Sequence, residues 1–586
     1  MKNKKKKGVN LLYLTIEFFK FVKPYKKHII FAVVILLTVS LADIFIPFIV
    51  KIAIDDYISK DNSAGLLNVS IVLLLLIFYR GIFTYVNTVY TQWIGQRAMK
   101  DIRMKIYEKM LSLNMNFFNK TPVGKLVTRI TNNVSDLNEL LTSGIVALIG
   151  DFIRFVGIVI ILYLINPTLA VITYIAIPIL ALVTWIFSKY ARKLYLKLKN
   201  RLTDLNIYLQ ETLSGARIIQ IFNKEERAKE DMEKYSQDYY LAAKKSILMN
   251  TLYRPGVNFI TSFTTAIVIY FGSYNIIKSV MTFGGLLAYI QYLKYLFEPI
   301  IDFSDKYNIF QSAMSSMDNI NEILSETSVL PEPKNPIPLS DIKGKITFEN
   351  VRFSYKEDNE IIKDVSFELE EKKTTAVVGF TGAGKTTLIS LILRFYDPQQ
   401  GKICIDEIDI RNVRKRDLRS NIAVVLQDSF IFSGTIKYNI TLGRDYPEER
   451  IKDVVRRVNL DKVINKYSDG INHEILEGGA TLSEGEKQLI SFARALITDP
   501  KILILDEATA NIDPYTESLI QDAMKKLLAG RTALVIAHRL STIVNSDKIL
   551  VLHKGKLIEQ GSHEELIRLE GHYYKLYNIA EKLKVI

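Results

Sequence analysis

Gly379-Phe380-Thr381-Gly382-Ala383-Gly384-Lys385-Thr386-Thr387 decides how this chain is read. It fills every fixed position of the pattern G-x-x-x-x-G-K-[ST]. The apolar, β-branched run Thr374 to Val378 predicts a strand before it, and the periodic run Leu388 to Leu393 predicts a helix after it. Between strand and helix, the turn exposes backbone N–H groups and the helix N-terminus adds its positive dipole. Phosphate oxygens can be held there by Gly379, Thr381, Gly382, Ala383, Gly384 and Thr387. Lys385 would reach the β- and γ-phosphates, and the Thr386 hydroxyl would bind Mg²⁺. A chance glycine-rich turn does not require strand, loop and helix in register. The stretch implies a nucleoside triphosphate, with ATP the expected ligand.

At 586 residues the chain should hold more than one domain. Its 49% hydrophobic and 24% charged residues look average, but the apolar ones are concentrated in long runs before about residue 310. Net charge is +14, from 76 basic and 62 acidic residues. Many lysines flank apolar runs, which suits a membrane surface better than nucleic acid. The one cysteine, Cys404, sits in an alternating run and reads as a small packed side chain. Nothing here requires an oxidising compartment.

A bilayer core about 30 Å thick needs roughly 20 apolar residues in a helix. Six stretches qualify, near 28–52, 66–90, 138–163, 168–188, 252–277 and 283–305, with Pro47, Pro178 and Pro299 inside or near spans. Residues 1–27 read as a basic tail and an interfacial helix, with no cleavage site expected. The connections 91–137 and 189–251 are long and basic, so they and the N-terminus should face the cytoplasm. An even number of spans returns the C-terminal half to the same side. Asp43, Arg80, Asp151, Arg154, Arg254, Glu298 and Asp302 lie in or near spans. Each costs on the order of 3 kcal/mol at a lipid-facing centre, so most should face the bundle or an interface. Asp151 and Arg154, three apart, could pair. The proline-rich run 326–343 reads as a linker between a membrane domain, 28–325, and an α/β domain, 344–586.

Within that second domain, Ile502-Leu503-Ile504-Leu505-Asp506-Glu507 is an apolar strand ending in two carboxylates. In a parallel sheet, ligands meet the carboxyl ends of strands. Asp506 would hold Mg²⁺, and Glu507 would orient and deprotonate the attacking water. Tyr355 ends a strand and by itself reads as a strand aromatic.

Residues 117–137 and 205–227 resemble the two cytoplasmic hairpins of the ATP-binding-cassette (ABC) exporters, whose short transverse helices press on the nucleotide-binding domains. Tyr355 resembles that family's adenine-stacking aromatic. Gln427, in VVLQDSFIF, matches the glutamine that senses Mg²⁺ and the nucleophile. Asp513, in ATANID, matches the loop crossing the dimer interface, and His538, in VIAHRL, matches the histidine at the γ-phosphate. The chain looks most like a bacterial multidrug-type half-transporter: a six-span α-helical membrane domain fused to an α/β P-loop ATPase domain. The resemblance implies a dimer with two ATP molecules sandwiched between facing cassettes, and a multi-pass cytoplasmic-membrane location.

The chain departs from the family at its signature. In place of L-S-G-G-Q stands Leu482-Ser483-Glu484-Gly485-Glu486, followed by Lys487. Ser483 and Gly485 keep the positions that meet the opposite chain's γ-phosphate, but two carboxylates have entered. The stretch Glu477-Gly478-Gly479-Ala480 also departs from the family's G-E-x-G. An altered signature beside an intact Lys385, Asp506, Glu507 and His538 predicts an asymmetric heterodimer with one degenerate ATP site. A homodimer that tolerates the change, or a non-pumping ATP-gated channel or regulatory subunit, are the alternatives. The long apolar spans argue against a soluble cassette ATPase acting on DNA or ribosomes. The expected cargo is amphipathic or hydrophobic.

Overall fold

The computed structural model describes residues 11–356, 359–427, 429–506, 513–536 and 540–584. They form two compact units, Met1–Leu111 with Pro122–Glu326, and Ser112–Thr121 with Thr327–Ile586.

The first unit is helical. It comprises α1 (Leu11–Val22), α2 (Lys26–Ile52) and α3 (Ser63–Ser112). The short helix α4 (Met115–Lys120) interrupts it, and α5 (Val123–Ile130) and α6 (Asn132–Glu139) resume it. Then come α7 (Ala147–Ile165), α8 (Pro167–Ser214), α9 (Ala216–Ile221), α10 (Glu225–Ile277) and α11 (Phe283–Leu324). At 1.5 Å per residue, the 50 residues of α3 reach about 75 Å, far beyond a bilayer core. Helices this long must continue past the membrane. Pro47, Pro178, Pro255 and Pro299 all sit inside helices.

Among the described residues, five helical stretches are long and apolar enough to cross a membrane: Tyr13–Ile58, Ser63–Ser112, Val123–Ile165, Pro167–Ser214 and Glu225–Ile277. The expected sixth, α11, is long enough at 42 residues, but Lys294, Glu298, Asp302, Asp305 and Lys306 interrupt its apolar run. It keeps its place in the helical bundle because its first turns are packed inside it, where Tyr289, Tyr292, Leu296 and Phe297 are buried. In α1, Leu14, Phe18 and Val22 form a buried stripe at i, i+4, i+8, and the helix packs on α11. Tyr13, Ile16 and Phe19 stay exposed on its other faces.

Asp151 and Arg154, close enough in sequence to pair, take other partners. Asp151 meets Lys306 of α11, while Arg154 lies 3.5 Å from Asp43 and 3.6 Å from Glu298. Arg80 also pairs with the buried Asp43. Partners on neighbouring helices are available in the same seam, so these charges pair across helices, not along one.

The second unit holds β1 (Ile346–Lys356), β2 (Asn359–Leu369), β3 (Thr374–Val378), β4 (Gln400–Ile405), β5 (Ile408–Asp409) and β6 (Ile422–Val425). It continues through β7 (Gly434–Thr435), β8 (Glu474–Ile475), β9 (Ile502–Asp506), β10 (Thr532–Ile536), β11 (Lys548–His553) and β12 (Lys556–Gly561). One sheet is antiparallel, in the order β2-β1-β4-β5. The central one runs β12-β11-β3-β10-β9-β6, parallel from β11 to β6. Its parallel strands β3, β6, β9, β10 and β11 are largely buried on both faces, which is why they read as unbroken apolar runs, whereas β12 at the edge alternates and has no buried residue. Leu503 and Leu505 join one core, and Ile502 and Ile504 join the other.

Helix α4 belongs to this second unit, although it is far from the rest of it in sequence. Asn114 N–H donates to the Ser328 carbonyl at 2.8 Å, and Asn119 Nδ2 donates to the Tyr396 hydroxyl at 3.1 Å.

Candidate functional site

The loop 379–384 joins the central strand β3 to α12 (Lys385–Ile392). Two of its glycines are required by geometry. A Cβ on Gly379 would lie 2.3 Å from the Leu552 carbonyl oxygen, which is backbone and cannot yield. Gly384 caps the helix at φ +103°, a left-handed conformation that strains other residues. Its carbonyl accepts from Thr387 N–H at 3.1 Å and starts the helix. Thr381, Gly382 and Thr386 are exposed at the loop surface, while Ala383 and Thr387 are buried.

Lys385 is buried and folds over the loop, donating to the Gly379 carbonyl at 2.6 Å. Burial pushes its ammonium pKa down, and the negative charge of Asp506 pulls it part of the way back. Asp506 ends β9 and is itself buried. In register, Ile536 of β10 stands beside both Val377 of β3 and Asp506 of β9, and Val425 of β6 stands beside Leu505. The strands therefore deliver the loop, Asp506 and the exposed Gln427 to one carboxyl edge of the sheet, where a parallel sheet binds ligands. Glu507 and His538 lie outside the described residues.

Tyr355 is half-exposed beside the loop. Its hydroxyl donates to Thr387 Oγ1 at 3.3 Å, and its ring stands edge-on to Phe353 and Tyr396. Thr387 is thus occupied by a side chain, leaving the Thr386 hydroxyl as the free one of the pair. The Tyr355–Thr387 contact carries no pattern in the sequence that would reveal it.

The signature residues start the helix Glu484–Ile497, with Ser483 as its N-cap. Ser483 Oγ accepts from Glu486 N–H at 3.3 Å, and Glu486 Oε2 accepts from Ser483 N–H at 2.9 Å. This reciprocal pair is a capping box, and it turns Glu486 back onto its own helix end. Lys466 Nζ then meets Glu486 Oε1 at 2.8 Å. Burial opposes the Glu486 charge, but Lys466 and the Ser483 N–H together hold its carboxyl below the usual glutamate value. Glu484 is exposed and paired with Lys487 at 2.8 Å. Both added carboxylates therefore have lysine partners. The S-x-x-E spacing of Ser483 and Glu486 was the sequence signal for the cap; Lys466 had none.

Asp513 caps the helix Pro514–Leu528, accepting from Thr516 N–H at 2.9 Å. That backbone N–H holds its carboxyl below the ordinary aspartate range. Among the described residues no cluster of three His, Cys, Asp or Glu side chains is arranged to hold a metal. A Mg²⁺ ion bound with nucleotide needs only one or two protein oxygens beside phosphates and water, and Thr386, Gln427 and Asp506 supply oxygen donors of that kind.

Residues 29–300 match the ABC transporter transmembrane region, and residues 362–510 match the ABC transporter family. The chain is 36% identical to a probable multidrug resistance ABC transporter ATP-binding/permease protein, YheH, of Bacillus subtilis, covering 87% of this chain and 77% of that one. It is 32% identical to the ATP-dependent lipid A-core flippase of Syntrophus aciditrophicus, covering 96% and 94%. A solved bacterial Atm1-family ABC exporter with ATP bound superposes with a TM-score of 0.77 at 28% identity, covering 94% of this chain and 98% of that chain.

Proposed function

The chain belongs to the ABC transporters, as a multi-pass membrane protein with a cytoplasmic ATPase domain, and from that premise we propose that it exports an amphipathic or hydrophobic compound by alternating access. The observation that carries this reading is the placement of the 379–387 loop, buried Lys385 and Asp506 on one sheet edge of a chain that also holds the spans. Lys385 and the loop N–H groups would hold the β- and γ-phosphates, Tyr355 would stack on the base, and Ser483 and Gly485 would meet the nucleotide of a facing chain. Mg²⁺, held by Thr386 and Asp506 with Gln427 nearby, would neutralise phosphate charge. Glu507 would take the proton of the attacking water, and His538 would hold the γ-phosphate. ATP closes two cassettes because each nucleotide gains contacts from both faces. Hydrolysis removes the γ-phosphate contacts and reopens them.

The assembly is two-fold or nearly so. The heterodimer reading depends on Glu484 and Glu486 facing a partner's nucleotide. The capping box and the two lysines offset both charges, which favours a pair of identical chains. A lone purified chain with cooperative ATPase activity would establish the identical pair. Activity only with a second, related chain would establish the asymmetric one.

Glu507→Gln tests the catalytic assignment. In inverted vesicles it should bind ATP, stop turnover and hold the cassettes closed. Normal cycling would remove Glu507 as the base. ATP binding with no uphill transport in the wild type would point to a channel or regulatory subunit.

A further inference from the structure

A cavity of about 710 Å³ lies within one chain between α7, α8 and α11. That volume falls within the roughly 300–1,000 Å³ typical of sites for small ligands. Phe152, Phe155, Trp185 and Phe303 supply aromatic walls. Lys189 and Arg192 also line it, four and seven residues beyond Trp185 and so on the same face of α8. Lys189 Nζ stands 5.5 Å over the Trp185 ring.

The charge balance gives the cavity a sign. Its one acidic lining residue, Asp151, is already engaged by Lys306. Among the described residues no carboxylate forms a salt bridge with Lys189 or Arg192. Two cations are therefore left for a ligand. Their depth is also defined. The apolar run 168–188 ends immediately before Lys189, and Arg192, Lys193, Lys197 and Lys199 follow on the basic, cytoplasmic side. That pattern would put the cations where the cytoplasmic leaflet meets water and the aromatic walls on the apolar side of that boundary.

We propose that this cavity binds an anionic amphiphile, its carboxylate or phosphate head between Lys189 and Arg192 and its apolar tail against Phe152, Trp185 and Phe303. As a loading site for cargo, this rests on the export reading above. The binding itself does not, and it is tested without nucleotide.

The chain has two tryptophans, Trp93 and Trp185, so Trp93→Phe leaves Trp185 as the single reporter in the cavity wall. The full chain is placed in phosphatidylcholine nanodiscs and titrated with 12-bromododecanoate or with 12-bromododecyltrimethylammonium, since bromine quenches tryptophan only at close range. The acid should quench Trp185 at a concentration about tenfold lower than the cation does, as one charge-assisted contact predicts. Lys189→Gln with Arg192→Gln should abolish that preference, while monodisperse elution and unchanged thermal unfolding show that the variant is folded. A second arm replaces the free acid with nanodiscs containing chain-brominated phosphatidylglycerol. Quenching by the acid alone assigns a free amphiphile, and quenching by the brominated lipid assigns a bilayer lipid; either supports the proposal. Equal quenching by acid and cation, or a preference that survives the double substitution, overturns it. ATP-driven transport in vesicles would be unaffected by that failure, and its own failure would leave the quenching result standing.

Discussion

Glu486→Gln removes one negative charge from the helix start at which a facing chain's nucleotide would be received, and keeps the side-chain length and one acceptor oxygen. Were that carboxylate aimed at a phosphate about 6 Å away, an effective dielectric near 20 would give a repulsion of roughly 3 kcal/mol. Its removal would then raise turnover about 100-fold. The structure gives a different expectation. Glu486 Oε2 accepts from Ser483 N–H at 2.9 Å and Oε1 meets Lys466 at 2.8 Å, so the charge is turned back and partnered. Glutamine can keep the cap hydrogen bond and loses only a pair whose lysine is largely exposed, an interaction of about 0–1 kcal/mol. ATP hydrolysis by the purified full chain in nanodiscs, at saturating nucleotide, should therefore change by less than about fivefold. Glu486→Ala, which deletes the acceptor, should cost about 1 kcal/mol of stability at that helix end and lower turnover more than glutamine does. A rise of about 30-fold or more with glutamine would refute the reasoning and restore the degenerate-site reading.

Gly379→Ala should abolish ATP binding, read by fluorescent-nucleotide titration, because its Cβ would meet the Leu552 carbonyl at 2.3 Å and the loop must move. Arg394 is almost fully buried in the second unit and bonds Asp397 and the carbonyls of Pro331, Ile410 and Val413. Arg394→Met should lower stability by about 3 kcal/mol, seen as a lower thermal transition of the full chain, because those acceptors lose their donor. Asp409 and Glu486 are both held below their ordinary values despite burial, Asp409 by Arg411 and Glu486 by Lys466 and the Ser483 N–H. A carboxyl with a lowered folded pKa stabilises the fold fully above its unfolded value and loses that contribution as pH falls through the folded one. Thermal unfolding should thus keep these contributions above the ordinary glutamate pKa of 4.5 and lose them as pH falls below it. A transition temperature unaffected by acid in that range would contradict the pairing.

The nucleotide loop and the long spans were legible because each is a local pattern: a turn flanked by a period-2 run and a period-3.6 run, and apolar stretches matched to a bilayer. Asp506 was legible for the same reason, as the polar end of an unbroken apolar strand. The cap made by Ser483 and Glu486 is also local, a spacing of three within the stretch that departs from L-S-G-G-Q. What needed the tertiary structure was every pairing of charge across distance. Lys466 reaches Glu486 from 20 residues away. Asp43 takes Arg80 and Arg154 from two other helices, so Arg154 is not left to Asp151. Asn119 bonds Tyr396 across 277 residues, placing a six-residue helix with the second unit. Backbone periodicity is written residue by residue, whereas which lysine neutralises which carboxylate depends on how separate elements come to rest against one another, and a single chain of letters does not carry those distances.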